Sequence, residues 1–112
     1  MSKKSAILEL EKAFSARQSG NEGMARVLAR RAAGLAIRDY LNSKDVIQSE
    51  LSLNALLKDY TIRKILPNQT HDALDRLSTR IGLDFRFPKD FDLLLDAELV
   101  IEQLSKVNGE KK

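Results

Sequence analysis

The sequence predicts an all-α protein, an up-and-down bundle of four to five helices that starts with a long helical hairpin. Three observations predict it. Apolar residues recur at three- and four-residue intervals along most of the chain, the period of a helix with one buried face. Proline occurs only as Pro67 and Pro88, so long stretches carry no helix breaker. The five glycines fall mostly where helical patterns stop. At 112 residues the chain fits one domain, residues 1–112, with a core over about 5–107 and a tail, 108–112, expected to fray.

The first helix is expected from about Ser5 to Ser19. Ile7, Leu10, Phe14 and Arg17 follow one another at helical spacing, with Ala6 and Ala13 beside them. Gly20 suits the left-handed residue after a helix, and Asn21 suits the N-cap of the next. So short a turn forces an antiparallel hairpin. The second helix, about Glu22 to Leu41, has apolar residues around most of its circumference and is rich in Ala, with Gly34 among them. Such a helix is buried on several sides and becomes the central one.

From Asn42 to Leu66 the pattern fits one long bent helix or two short ones, with Ser52 placed to cap a restart and Pro67 to end the run. A fourth helix is expected from the N-cap Thr70 through Leu74, Leu77 and Ile81 to Gly82. Leu83 to Pro88 alternates apolar and polar residues, which predicts an extended strap across the bundle carrying Phe85 and Phe87 inward. The last helix is expected from about Lys89 to Val107, capped by Asp90, with Leu93, Leu94, Ala97, Val100, Ile101, Leu104 and Val107 as its stripe.

Composition excludes much chemistry. There is no Cys, hence no disulfide framework, thiolate nucleophile or sulfur-ligated zinc. His71 is the single histidine, so no histidine-based metal cluster can form, and no cofactor is expected. No Walker loop, nucleophile elbow or dinucleotide-binding glycine pattern occurs. No apolar run reaches the ~20 residues of a membrane span, and none of signal-peptide length follows the basic start, so no membrane association and a cytoplasmic location are expected. The net charge of +3 is uneven: residues 1–44 carry +5, residues 45–88 balance, and residues 89–112 carry −2. A basic front and an acidic back attract each other within one chain or between copies.

Four groups of residues are candidates for function. Arg26, Arg30, Arg31 and Arg38 lie on the second helix, three of them at four- and eight-residue intervals, so they stack along one side. Their guanidinium forks suit phosphates, and Gly34 between them lets a ligand or another backbone come close. The plainer reading, and the preferred one, is a solvated edge with arginine stems covering apolar surface, or an edge paired with acids of the last helix. Asp90, Asp92, Asp96, Glu98 and Glu102 on the last helix could hold Mg²⁺, but acids from a single helix read first as a polar face. His71, near Arg63 and Lys64, is a candidate general base, against the plainer reading of a solvated side chain. Tyr40, Tyr60, Phe85 and Phe87, with Arg86 between the last two, could stack bases or simply pack the core, and packing is preferred.

The hairpin and its Ala-rich second helix, Ala25-Arg26-Val27-Leu28-Ala29-Arg30-Arg31-Ala32-Ala33-Gly34-Leu35-Ala36-Ile37-Arg38-Asp39-Tyr40-Leu41, resemble the HEPN domains of prokaryotes. The resemblance spans about residues 5–107 and rests on architecture and composition. It implies a bundle that is often dimeric, that partners a nucleotidyltransferase or cleaves RNA. Cleaving members carry Arg, four to six residues, then His. Here seven residues separate Arg63 from His71, and six separate Lys64 from it, but Lys lacks the guanidinium fork. The expectation is therefore a non-cleaving, homodimeric binding or assembly module. RNA or nucleotide binding through the arginine row is the alternative, and ribonuclease chemistry at His71 comes last.

Overall fold

A computed structural model describes residues 2–45, 51–78 and 92–109, with side chains described at 5–45, 51–78 and 92–105. These residues form helices only: α1 (Ser2–Gln18), α2 (Glu22–Ser43), α3 (Leu53–Lys58), α4 (Tyr60–Arg63), a 3₁₀ turn (Asn68–Thr70), α5 (His71–Leu77) and α6 (Leu93–Gly109). The protein is an all-α bundle, with three long and three short helices among the described residues. Among the described residues no helix is long and apolar enough to cross a membrane.

The α1–α2 hairpin is closed as its sequence demands. Gly20 takes φ +86°, and the N–H groups of Gly20 and Asn21 donate back to the carbonyls of Arg17 and Ala16, at 3.0 and 2.9 Å. That pattern ends α1 with its last carbonyls satisfied. Asn21 then starts α2, its Oδ1 accepting from the Met24 N–H at 3.1 Å. The buried face of α1 is Ala6, Leu10 and Ala13. Ile7, expected in that stripe, is 42% exposed, because the two alanines, not the larger side chain, face the interior and let the helices close together.

Helix α2 packs against α1, α3 and α6, and is central. Its buried residues are mostly small, Ala25, Ala29, Ala32, Ala33, Gly34 and Ala36, joined by Ile37, Tyr40 and Leu41 toward its end. It runs unbroken through Gly34. Gly34 has a steric role: a Cβ there would lie 2.8 Å from the Leu53 Cβ and 2.9 Å from the Leu53 carbonyl oxygen. Only a hydrogen allows the start of α3 to rest on α2. Met24 and Val27 are about half exposed, so α2 keeps an open apolar side that the expectation of burial nearly all round did not include.

Between α2 and α6 the described residues, 51–78, form short helices. Of the two alternatives for residues 42–66, two short helices are found over 51–66, while residues 46–50 lie outside the described residues. Ser52 caps α3 through the Ala55 N–H, and Asp59 caps α4 through the Ile62 N–H. Thr70 does not cap α5. It lies in the preceding 3₁₀ turn with helical dihedrals, and its buried hydroxyl donates to the Pro67 carbonyl at 2.7 Å instead. Helix α6 starts at Leu93, later than Lys89, and its cap is Asp92, whose Oδ1 accepts from the N–H groups of Leu94 and Leu95. Asp90 and the strap from Leu83 to Pro88, with Phe85, Arg86 and Phe87, lie outside the described residues, as do Arg80, Ile81 and Gly82. The core joins Leu56, Leu57, Leu66, Leu74 and Leu77 from the short helices to Leu93, Leu94, Val100 and Leu104 of α6.

Candidate functional site

The arginine row emerges from α2 as its spacing requires, but Arg30 and Arg38 turn toward main-chain carbonyls while Arg26 and Arg31 pair with acids. Arg30 is half buried, and its Nε donates to the Leu77 carbonyl, the last of α5, at 2.8 Å. A guanidinium there satisfies a carbonyl the helix leaves open and meets the negative end of its dipole. Burial, with Arg26 nearby, pulls the Arg30 pKa below the ordinary arginine value. Arg38 donates to the Leu51 carbonyl at 3.0 Å, just ahead of α3. Arg31 pairs with Glu9 of α1 at 2.6 Å, and Arg26 with Glu22 on its own helix at 3.6 Å. The close approach that Gly34 permits is made by Leu53, so the gap in the row is filled by backbone of the same chain.

His71 is brought to Arg63, though not to its guanidinium. The His71 Nε2 lies 2.9 Å from the Arg63 carbonyl oxygen and 3.3 Å from that of Leu66. Carbonyls accept, so Nε2 carries the proton and the ring holds the turn after α4 against the start of α5. The Arg63 guanidinium points the other way: Nε and one terminal nitrogen donate to the Leu57 carbonyl at 3.2 and 3.0 Å, and the other to Asp75 at 2.8 Å. It closes the end of α3 as Arg30 closes α5. Lys64 is exposed, its Nζ 5.3 Å from the centre of the Tyr60 ring. No general base and cationic fork therefore face a shared space here.

The acids of α6 divide. Asp92 caps the helix and also receives Arg17, which holds Glu22 with its other nitrogens, at 2.7 and 3.0 Å. This one guanidinium ties the hairpin turn to the first turn of α6. Its hydrogen bonds lower the Glu22 carboxyl. Burial alone would raise Asp92, but the bonds from Arg17 and the Leu94 and Leu95 amides outweigh it, and its pKa falls as well. Asp96 is buried and takes a two-pronged bond from Arg76 of α5, with distances of 2.9 to 3.1 Å. Bonding to Asp96 raises the Arg76 pKa. Glu98 and Glu102 are exposed. Among the described residues no three acids or His71 gather closely enough to hold a metal ion.

Of the aromatics, Tyr40 is buried beneath Lys44, with burial raising its hydroxyl, while Tyr60 is 79% exposed. No protein-family model, curated protein or solved structure matches the chain.

The pair Arg76–Asp96 escaped the sequence reading although a signal for it exists. Asp96 falls between Leu93 and Val100 on the apolar stripe of α6, and a charge in such a stripe requires a partner. The acceptors of Arg30, Arg38 and Arg63 have no such signal, because they are main-chain carbonyls.

Proposed function

We propose that the protein is a non-catalytic binding and assembly module of HEPN-like design that acts as a pair of identical chains. One observation carries the reading: the groups suited to chemistry are already engaged by the chain's own backbone. Arg30, Arg38 and Arg63 serve carbonyls, and His71 donates to two more. What the surface offers instead is large apolar side chains on the long helices, Leu8 on α1, Met24 and Val27 on α2, and Leu95 on α6. Exposed apolar groups in such numbers suit a protein that covers them with another. Two-fold pairing is the commonest form of self-assembly.

The same observation weighs against the arginine row as a phosphate grip. Withdrawing Arg30 or Arg38 to hold phosphate would leave the Leu77 or the Leu51 carbonyl without its arginine donor. Light scattering over the micromolar range tests the proposal. It predicts the mass of two chains, and a single-chain mass at every concentration overturns it.

A further inference from the structure

Two surfaces of this chain each expose large apolar side chains and carry opposite charge. The outer side of α6 presents Leu95, Glu98, Leu99 and Glu102, which share one face of the helix at spacings of three and four. Leu95 is 53% exposed and Leu99 36%. Neither Glu98 nor Glu102 has a hydrogen bond or ion pair among the described residues, unlike Asp92 and Asp96 of the same helix. This is an apolar stripe bordered by negative charge that no described residue pairs.

The corner between α3 and α4 is its counterpart. Tyr60 is 79% exposed and Ile65 37%. Lys64 rests over the Tyr60 ring, and Lys58 stands exposed at the end of α3 without an acidic partner among the described residues. An exposed tyrosine flanked by lysines is an anchor of the type that dominates association energies. Helix α6 packs against α1, α2, α5 and the 3₁₀ turn, whereas α4 packs against α3, so the two surfaces lie on elements that do not pack directly on each other.

Resting on the assembly reading above, we propose that the partner is a second copy of this chain, and that the acidic leucine stripe of α6 in each copy seats on the Tyr60–Lys64 corner of the other. The complementarity selects this occupant. A nucleic acid is attracted to the corner but repelled by the stripe, whereas a second copy supplies both charges. In a two-fold pair the contact is made twice, so each stripe and each corner is used. Opposite charges at the borders fix the register and speed encounter, and the leucines and tyrosine exclude water at the centre.

Charge exchange tests this with exposed residues only. The variants Glu98→Lys with Glu102→Lys, and Lys58→Glu with Lys64→Glu, are measured by light scattering alone and mixed in equal amounts, with circular dichroism as the check of folding. Each variant alone is expected at the mass of one chain, and the mixture at two, since both of its contacts are again complementary. Tyr60→Ala, which removes the anchor without altering charge, is expected to weaken pairing at least tenfold. A wild-type dimer that persists in either charge variant, a mixture that stays monomeric, or an unchanged Tyr60→Ala overturns this interface and leaves the assembly reading standing. A wild-type monomer overturns both.

Discussion

The long helices and the short ones are held by different means. The frame of α1, α2 and α6 is specified close to home: Gly20 and Asn21 turn the hairpin, Asp92 caps α6, and small or branched apolar residues at helical spacing form the contacts. The stretch 51–78 has local caps at Ser52 and Asp59, but its helices run only four to seven residues, too short to persist by themselves. Arg30 on α2 and Arg63 on α4 meet carbonyls that α5 and α3 leave open at their ends, and Arg38 on α2 meets the Leu51 carbonyl just ahead of α3. A long helix satisfies most of its own backbone. A short one is mostly ends, so it needs donors that the rest of the fold must supply.

If that difference is real, the largest effect comes from a tie between the two regions. Arg76 of α5 and Asp96 of α6 are unequal partners: Asp96 is buried, while the Arg76 side chain keeps 36% of its exposure. Arg76→Ala leaves a carboxylate inside the bundle without its donor and is expected to destabilise by about 3 kcal/mol. Asp96→Ala frees an arginine that reaches water and should cost roughly 1 kcal/mol. Chemical denaturation of both variants measures the asymmetry, and equal losses contradict it.

Gly34→Ala comes next and cuts where α3 lies on α2. In an exposed helix this change stabilises by about 1 kcal/mol, because glycine is the weaker helix former. Here the new Cβ would stand within 3 Å of the Leu53 Cβ and carbonyl oxygen, which cannot both yield without moving the chain. Overpacking of this kind costs about 2–3 kcal/mol, so the net expectation is a loss of about 1–2 kcal/mol. Hydrogen exchange localises it: amides of α3 to α5 should exchange faster, with those of α1 and the first half of α2 little changed.

The same division explains what could be read from the residues. The hairpin, the central place of α2 and the identity of Asn21 and Gly20 as punctuation were legible because each depends on neighbours in sequence. Thr70 misled because a hydroxyl residue before an apolar run looks like a cap, and only the preceding 3₁₀ turn sends it to the Pro67 carbonyl. The sequence points to Asp90 as the start of α6 and to Asp92 only as part of a polar face, until the amides of Leu94 and Leu95 are found on Asp92. The arginines of α2 were visible as a row, but whether they face a ligand depends on which carbonyls fold beneath them. No residue letter marks a carbonyl.

The smallest effect is an electrostatic one inside the frame. Arg17 joins Glu22, in the first turn of α2, to Asp92 at the start of α6, and both carboxyls sit below their ordinary values of 4.5 and 3.8. A lowered carboxyl in the folded state adds stability above its ordinary value, and that stability is lost as the pH falls through the folded one. The loss therefore begins near pH 4 and deepens below it. With side chains 42% and 35% exposed, solvent screening holds the total to on the order of 1 kcal/mol. Arg17→Met removes the shared donor, so its stability should fall less steeply than the wild type between about pH 5 and 2. Melting temperatures over that range decide it. Parallel curves would mean that Asp92 owes its lowered pKa to the amides of α6, and that the frame closes without the guanidinium.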